Sequence, residues 1–530
     1  MQFEFDYIVV GSGSAGSVVA SRLSDDTNLS VLLVEAGGSD KSLKVVMPGL
    51  VSSLFGDPNY DWCFTAEPDR TRAGQCDYMP RGKVLGGTSS INAMCFLRGS
   101  AEDFEAWASL GNEGWDYRSV LPYFRTSERF EGGGSPTRGD RGFQPVSFLR
   151  SAHPMSKIFL EACVRHGAKH ISDLNNGEYE GVGFAQVSQL RGSRYSAARS
   201  YVWPARKRRN FRLLLHTQVQ RVLFENRKAT GIEVVRGNDR TAFKARRGVV
   251  LSGGVFGTPH ILMLSGIGPS EQLRRMGIDV LIDAPGVGRN LQDHAGTRHV
   301  AWVDIKTLNM VVGPIEKLAA GLQWLFFGKG AAASPMTQVV LARKMDRPDR
   351  LSRFQVLFTP GAYEMSLNGA QSLDRPAVMA IVNVHRPYSS GYLELDSPDF
   401  REPLKIHPDL FADERDLDTL IAGHRIVREI FHTAPLRNHV VGEYKPGPSL
   451  QSDDELKTFI KETARGIYHP AGTCKMGAGP SSVVDSRLAV RGVQNLYIAD
   501  ASVMPFVVSS NLNATCMMVG ERLAEWLKAA

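Results

Sequence analysis

Two short apolar runs, joined by a helical stretch, open the chain. Tyr7–Val10 and Val31–Val34 are apolar throughout and contain several β-branched residues, which is typical of parallel strands buried on both faces. Ser17–Leu23, between them, predicts a helix, and the polar residues after it predict a turn. The pattern therefore predicts a strand–helix–strand unit at the start of the chain.

Three glycines and one acid indicate what this unit binds. Gly11, Gly13 and Gly16 lie between the first strand and the helix. They allow a tight turn, a close approach of pyrophosphate to the backbone, and close packing of the helix, whose free N–H groups bind phosphate. Glu35 ends the second strand nineteen residues after Gly16, where a carboxylate accepts hydrogen bonds from an adenosine ribose. This indicates NAD or FAD and not NADP, without deciding between the two.

The pattern differs over residues 298–466. Short apolar or alternating runs separated by Pro and Gly predict an antiparallel sheet; they are Phe354–Phe358, Val378–His385 and Gly391–Leu395. Apolar residues near helical spacing over Asp416–Thr433 predict a helix that covers one side of this sheet. Leu318–Phe327 is markedly apolar. We interpret it as a core helix, in preference to a mobile cover over the substrate entrance or a membrane-touching surface.

Pro80–Ser100 cannot be a regular helix or strand throughout, because it contains Gly82, Gly86, Gly87 and Gly99. It is also too apolar for an ordinary surface loop. A buried glycine-rich segment beside a dinucleotide site suits a large, flat ring system that the backbone approaches closely.

Composition excludes several classes of protein. The length of 530 residues predicts two to four domains, and a hydrophobic content of 43% allows large buried cores. No run reaches the roughly 18 apolar residues of a membrane span, and residues 1–6 lead directly into the first strand. We therefore expect neither a membrane span nor a signal peptide, and a cytoplasmic location.

Cysteine spacing and charge argue against metal and nucleic-acid binding. The six cysteines include no CxxC pair, which disfavours structural zinc, iron–sulfur centres and a disulfide framework. We predict no metal site. The net charge of +7 is mild for this length, and we interpret the basic run 206–209 as a solvated helix end rather than a nucleic-acid site.

Two longer motifs resemble the signatures of the glucose-methanol-choline (GMC) flavin oxidoreductases. Gly82–Asn92 resembles the first signature, and Gly254–Gly268 resembles the second, with Val255 where the family prefers a smaller residue or proline. The resemblance runs from Phe5 to the C-terminus and is nearest to bacterial choline-dehydrogenase-like and sorbose-dehydrogenase-like members. It implies FAD as the cofactor. A covalent FAD link in this family uses a histidine whose position here is Ile91, so we predict non-covalent binding.

The resemblance and the patterns together predict an α/β fold with an α+β substrate part. A Rossmann-like FAD-binding domain is expected over residues 1–152, 211–297 and 467–530. An interleaved substrate-binding domain, an antiparallel sheet covered by helices, is expected over 153–210 and 298–466.

The resemblance also implies the site residues. His469, in the eleven-residue pattern Ile467–Gly477, matches the catalytic histidine of the family, and Asn511 matches its second catalytic residue. Ordinary helix capping is a partial alternative for Asn511. The predicted cofactor-binding residues are Gly11, Gly13, Ser14, Ala15, Gly16, Glu35, Ala36, Trp62, Val84, Gly86, Gly87, Ser90, Asn92, Ala93, Met94, Val219, Asp500, Ala501, Asn513 and Thr515. For Trp62, a buried position in the core is an equal alternative.

The predicted reaction is the FAD-dependent oxidation of an alcohol to an aldehyde or ketone. A neutral His469 takes the hydroxyl proton while hydride passes to flavin N5, and Asn511 orients the oxygen. Electrons are expected to reach a quinone or another acceptor. Alternatives are an oxidase that uses oxygen, for which apolar Ile467 provides a dry contact, and a non-redox FAD protein similar to hydroxynitrile lyases. Partners are thus an alcohol and an acceptor, with peripheral contact at the inner membrane left open.

Overall fold

Two seven-stranded sheets organise the chain in a computed structural model that describes residues 3–345, 353–366 and 369–529. In the first sheet, five strands are mutually parallel, and the other two, Lys228–Arg236 and Gln218–Glu225, are joined to it by antiparallel pairing. Their order across the sheet is Phe211–Leu214, Val31–Val34, Glu4–Val10, Asp239–Leu251, Lys228–Arg236 and Gln218–Glu225, with Leu496–Ile498 also parallel to Asp239–Leu251.

The predicted strand–helix–strand unit lies at the centre of this sheet. Ile8, Val9 and Leu32 are fully buried, as expected for strands covered on both faces. The helix Ser14–Leu23 follows the first strand and packs against the last helix, Asn513–Ala529. The two ends of the chain therefore meet beside the predicted dinucleotide site.

The second sheet is antiparallel throughout. Its order is Val440–Lys445, Ala295–Val303, Ala377–Val384, Arg353–Thr359, Val339–Lys344 and Gly181–Phe184, with Arg465–Gly466 also paired to Ala295–Val303. Alternate residues serve two purposes. Phe354, Val356 and Phe358 pack in a core with the covering helices Pro154–Arg165, Glu414–Phe431 and Asp453–Thr463, while the opposite face, with Leu357 and Ile381, borders a cavity.

Smaller elements connect the two sheets. The remaining helices are Leu43–Val46, Ala101–Ser109, Tyr117–Ser127, Trp203–Ala205, Gly254–Leu264, Ser270–Arg275 and Pro314–Phe327. The two-stranded pairs are Phe64–Thr65 with Tyr78–Met79, Glu128–Phe130 with Gln144–Val146, Gln189–Leu190 with Ser193–Arg194, Ile267–Gly268 with Ile282–Asp283, Tyr363–Ser366 with Gly369–Ser372, and Tyr392–Glu394 with Lys405–His407.

The prediction of a core helix over Leu318–Phe327 is wrong. These residues belong to the helix Pro314–Phe327, but none of its residues is buried. Ile315, Phe326 and Phe327 are more than 70% exposed. This exposure could not be predicted from the sequence, because an apolar helix has the same pattern whether protein, lipid or water faces it. No helix among the described residues is both long and apolar enough to cross a bilayer.

Two segments differ from the predicted domain allocation. Gly391–Leu395 was predicted to join the antiparallel sheet, but Tyr392–Glu394 pairs only with Lys405–His407 and packs on the core of the first sheet. Residues 198–205, predicted as substrate domain, pack beside the helix Ser14–Leu23. Leu393 and Ala198 are fully or almost fully buried in the first core, so apolar burial determined both placements. The other domain boundaries stay a prediction.

Candidate active site

A cavity of about 840 Å³ lies between the carboxyl ends of the parallel strands and the free face of the second sheet. Such a volume is at the upper end of ordinary cofactor and ligand pockets. Val10 and Val34, the last residues of two central parallel strands, line one end. Leu357 and Ile381 line the other. The cavity therefore extends from the predicted nucleotide-binding unit to the antiparallel sheet.

The three glycines of the first loop differ in what surrounds them. Gly11 has a φ of +94°, and a Cβ there would collide with the carbonyl oxygen of Ser252. A Cβ on Gly16 would collide with the carbonyl oxygen of Gly11. A Cβ on Gly13 would meet no atom within 4 Å and would project into the cavity that Gly13 lines. The backbone at Gly13 is thus open to the cavity, and a pyrophosphate could approach it there.

Glu35 is buried at the same end of the cavity. Its carboxylate accepts hydrogen bonds from the backbone N–H and hydroxyl of Ser12, at 3.0 and 2.6 Å, and from the N–H of Gly37 at 2.8 Å. Burial raises the pKa of Glu35, and these hydrogen bonds oppose that rise. The carboxylate is held in place and retains acceptor capacity for ribose hydroxyls.

Asp500 ties the second signature to the C-terminal segment. It accepts from the N–H of Gly254 at 2.9 Å and the hydroxyl of Thr258 at 2.6 Å, and from the N–H and hydroxyl of Ser502. Burial raises the pKa of Asp500, and these four donors counteract it. Asn513 accepts from the Ser14 hydroxyl at 2.7 Å. The starts of the first and last helices are thereby fixed against each other.

Most of the predicted cofactor residues line this cavity. Those that do are Gly11, Gly13, Ser14, Ala15, Glu35, Ala36, Trp62, Gly87, Asn92, Ala93, Met94, Val219, Asp500, Ala501 and Asn513. Gly16, Val84, Gly86, Ser90 and Thr515 lie buried behind the wall instead. Gly16 packs the helix on the loop. Ser90 donates to the carbonyl of Leu85 at 2.7 Å, so it supports the glycine-rich segment.

His469 and Asn511 meet at the cavity wall. His469 Nε2 lies 2.9 Å from Asn511 Nδ2. His469 Nδ1 lies 3.0 Å from Nδ1 of His294, whose Nε2 lies 3.1 Å from the carbonyl oxygen of Val508. A carbonyl oxygen only accepts, so His294 carries its proton on Nε2. Burial lowers the pKa of His294 to about 4, which leaves its Nδ1 as an acceptor.

This chain of contacts determines the tautomer of His469. Because His294 Nδ1 accepts, His469 must donate from Nδ1. Burial lowers the pKa of His469 well below its usual value, and the neighbouring His294 and Arg81 lower it further. The neutral ring therefore has its lone pair on Nε2, the atom that faces Asn511. An alcohol placed there would donate to His469 and accept from the Asn511 amide.

The backbone around both histidines is held by one buried acid. Asp293 Oδ1 accepts from the N–H of His469 at 2.8 Å and from its neighbour His294 at 2.7 Å. Desolvation raises the pKa of Asp293 to about 7, although Arg81 opposes this. From the sequence, no role in the site was predicted for Asp293 or His294. His294 lies 175 residues before His469, and no local spacing connects them.

The residues fit FAD. The cavity combines an open backbone at Gly13, a buried acid at the ribose end, and a neutral base beside an amide at the other end. Asn511 lines the cavity, and its Oδ1 is buried without a hydrogen-bond partner among the described residues, as expected beside a polar ligand. When bound, FAD supplies the hydride acceptor. The described residues contain no cluster of three or more groups that suits a metal ion.

Comparison with known proteins establishes the family. The N- and C-terminal sequence profiles of the GMC oxidoreductases match residues 5–296 and 387–520. Mouse mitochondrial choline dehydrogenase is 38% identical over 99% of this chain and 89% of its own length. Oxygen-dependent choline dehydrogenase of Brucella anthropi is 37% identical over 98% and 95%. Pyridoxine 4-oxidase from Mesorbium loti has a TM-score of 0.89 at 28% identity, covering 99% of each chain.

The chain belongs to the GMC oxidoreductase family. It is an FAD-dependent oxidoreductase that acts on alcohols, with the α/β fold of that family. The predictions of family, fold class, cofactor and reaction class are confirmed.

Proposed function

We propose that His469 removes the hydroxyl proton of a small alcohol while Asn511 holds the same oxygen. The observation that carries this proposal is the hydrogen-bonded series from the Val508 carbonyl through His294 and His469 to Asn511. This series of contacts leaves His469 neutral, with the lone pair of Nε2 at the cavity wall. An arriving hydroxyl replaces the contact between His469 and Asn511 and takes both of their hydrogen bonds.

Positioned acid–base help is worth about 10² to 10⁴ in rate. We therefore expect His469→Ala to slow anaerobic flavin reduction by about that factor, with FAD content unchanged. Asn511→Ala should cost roughly 1 to 3 kcal/mol of barrier, because a polarised oxygen loses one hydrogen bond. Since both residues hold one oxygen, the double variant should lose less than the sum of the single losses.

Stopped-flow reduction by a panel of primary alcohols, aldehyde hydrates, sugars and choline measures these rates. His424→Ala is the matched control, because His424 is also buried with its pKa lowered to about 3 but does not line the cavity. An His469→Ala protein that keeps its FAD and is reduced within a few-fold of the parent rate would remove His469 from the mechanism.

For the electron acceptor, we propose a quinone. Choline dehydrogenase of mouse is named as a dehydrogenase without mention of oxygen, and this supports transfer to an acceptor other than oxygen. The Brucella anthropi protein is named as oxygen-dependent, and this supports oxygen as the acceptor. The second candidate is an oxidase. Ile467 lines the cavity two residues before His469 and places an apolar side chain close to the reaction centre, a dry contact that would favour oxygen. The apolar character of Ile467 was also the reason for the oxidase alternative in the sequence analysis.

We further propose that the helix Pro314–Phe327 contacts a lipid surface, so that the protein lies peripherally at the inner membrane on its cytoplasmic side. Ile315, Leu318, Leu322, Leu325 and Phe326 recur at helical spacing and are all exposed. Trp324 donates to the carbonyl of Gly192 at 3.0 Å and anchors the helix. Exposed Lys317 and Lys329 accompany this apolar face, a combination that favours anionic lipid.

The segment that follows this helix leads to the cavity where the proposed acceptor would react. The short turn Ala331–Ala333 follows the helix and packs beside the 3₁₀ segment Pro48–Leu54. Met336 and Thr337, a few residues further on, line the cavity. A membrane-dissolved quinone would therefore meet the protein on the side where the chain leads into the cavity.

A further inference from the structure

The substrate side of the cavity is formed by one face of the second sheet. Gly296 and Arg298 lie two residues apart on the strand Ala295–Val303 and share that face. The register places Arg465 opposite Gly296, and Ile381 opposite Arg298. All four residues line the cavity. Arg298 and Arg465 are therefore diagonal cross-strand neighbours, a relation that brings Cα atoms to about 7–8 Å.

Neither guanidinium is occupied by a hydrogen bond to any described residue. The closest acid to Arg298 is Glu364, with Nη1 and Oε2 3.8 Å apart, and Glu364 also contacts Lys445 Nζ at 2.6 Å. The closest acid to Arg465 is Asp77, at 4.0 Å, and Asp77 already accepts from Arg72 at 2.8 Å. Each guanidinium has five N–H donors, so the pair presents a large unused donor capacity to the cavity.

The acids that line the cavity lie elsewhere. Glu35 and Asp500 are bonded to the nucleotide loops. Glu402 is exposed beside Phe400 and Arg401, and these last two also line a second pocket with Ala36 at the adenosine end. Among the described lining residues, the second sheet contributes no carboxylate. The substrate wall therefore has positive charge without a hydrogen-bonded counter-ion.

This wall is unsuited to a cationic alcohol. A quaternary ammonium group is recognised by aromatic faces or by carboxylates. The ring of Tyr363 already has the guanidinium of Arg298 above it, 5.3 Å from the ring centre. The other lining tyrosine, Tyr468, has Phe55 beside it, with ring centres 6.2 Å apart. Two fork-shaped guanidinium groups match the geometry of a carboxylate, which accepts paired hydrogen bonds from them.

The distance to the base suits a small molecule. Arg465 precedes His469 by four residues, which separates their Cα atoms by at most about 14 Å. Both side chains line the same cavity, so one short molecule reaches from the guanidinium groups to His469 Nε2.

We propose that the alcohol substrate is a small hydroxy acid, whose carboxylate binds Arg298 and Arg465 while its hydroxyl meets His469 and Asn511. This rests on the proposed function of His469. The hydroxyl proton goes to His469 Nε2, the carbon's hydride goes to FAD, and the C–O bond becomes C=O. The carboxylate is unchanged, and the two electrons leave to the quinone or oxygen. The product is an oxo acid.

Matched substrates test this on the holoenzyme. Anaerobic flavin reduction is measured with glycolate, 3-hydroxypropanoate and 4-hydroxybutanoate, with the corresponding diols, and with choline. We expect kcat/KM to favour the best hydroxy acid over its diol by about 10- to 100-fold, as for a charge-assisted pair of hydrogen bonds. Arg298→Gln and Arg465→Gln should each remove most of this preference, mainly through KM. Arg289→Gln, at an exposed arginine outside the cavity lining, should retain it.

Binding gives a second readout that needs no turnover. Butanoate, which has no hydroxyl, should perturb the flavin absorbance of the parent and of Arg289→Gln, but bind at least ten-fold more weakly to the Arg298→Gln and Arg465→Gln variants. A diol or choline that reduces the flavin as well as any hydroxy acid would overturn the inference and leave the role of His469 intact. Failure of every alcohol to reduce the flavin would count against the proposed function instead. In that event, absence of butanoate binding to the parent would also reject the carboxylate site.

Discussion

The proton that His294 holds on Nε2 acts through the neighbouring ring. It makes His294 Nδ1 an acceptor, and His469 then has to keep its own proton on Nδ1. His294 touches neither the place of the alcohol nor that of the flavin, so it is a positioning residue. Without it, the His469 tautomer with a proton on Nε2 becomes accessible, and that form cannot take a proton from an alcohol.

We expect His294→Ala to slow flavin reduction about 10- to 100-fold, because a buried donor left without a partner costs roughly 1 to 3 kcal/mol. His294→Gln should recover part of the rate, since its amide can accept from His469 and donate to Val508. Stopped-flow measurements across pH distinguish this role from simple loss of packing.

The pH profile has a defined direction. Only neutral His469 is a base, so the rate falls as pH drops through its pKa. Burial, with help from His294 and Arg81, lowers that pKa well below 6.5. Protonation of His469 should therefore cause no loss of the parent rate from pH 6.5 upward. Any change near neutral pH should follow Asp293, whose pKa is about 7. In His294→Ala, we expect water to enter the site, and the effect of His294 that lowers the pKa of His469 is lost. The pKa of His469 should therefore rise, and the fall in rate at acid pH should occur at a higher pH. An unchanged profile and an unchanged rate would contradict the proposed relay.

Ile91 bears on how FAD is retained. It lines the cavity and packs with Val45, Leu54 and Val84, and its hydrocarbon side chain cannot form a bond to the flavin. Denaturation should therefore release all of the flavin into the supernatant. The absorbance of the washed, precipitated polypeptide checks this. Yellow colour that stays with the protein would show that another residue is attached to FAD.

At the scale of the element, the helix Pro314–Phe327 differs from every other long helix of the described chain in burying none of its residues. An apolar helix exposed to water is costly, since full burial of each large side chain is worth about 1.5–3 kcal/mol. A lipid surface would recover part of that free energy. Lys317 and Lys329 make this attraction dependent on salt.

We expect the protein to sediment with sucrose-loaded vesicles that contain phosphatidylglycerol, and to bind less at high salt. Replacing Phe326 and Phe327 with Ser should weaken binding about ten-fold or more. Val441→Ser is the matched control, because Val441 is 71% exposed but lies on the strand Val440–Lys445, distant in sequence from this helix. Equal binding of the control and the double variant would exclude the helix as the lipid contact, whereas a dimer in solution would indicate a second copy there.

At the scale of the whole molecule, the open question is whether a quinone or oxygen takes the electrons that the cavity between the two sheets removes from the alcohol. If a quinone is the acceptor, peroxide formation in air should be slow relative to turnover with a quinone analogue. Peroxide assayed against alcohol consumed measures this. One peroxide for each alcohol oxidised, at a rate no lower than with the quinone analogue, would favour the oxidase. Ile467 would then be the apolar contact that assists the reaction with oxygen.

The first unit of the fold could be predicted from sequence because its determinants are local. Tyr7–Val10, the glycine loop, Val31–Val34 and Glu35 follow one another, and each position has a physical requirement that its residue type meets. Most of the predicted cofactor residues accordingly line the cavity. His469 and Asn511 were identified through the resemblance, and the structure places them 2.9 Å apart.

The remainder depends on long-range contacts. His294 reaches His469 across 175 residues, and Arg298 joins Arg465 only through the register of two strands. Neither relation leaves a local pattern. The exposure of Pro314–Phe327 and the packing of Tyr392–Glu394 on the first core likewise depend on what lies opposite each segment in space.

The pairing of Ala295–Val303 with Arg465–Gly466 has an evolutionary consequence. His294 precedes the first strand directly, and His469 follows the second by three residues, so the ladder that sets the substrate wall also sets the spacing of the two histidines. Side chains on the cavity face are free to diverge and change the alcohol that is accepted. The length of this strand pair is not free to change, because a one-residue insertion would turn Arg465 to the opposite face and displace His469. New specificities in this scaffold should therefore arise by substitution here, and by insertion only in the loops beyond.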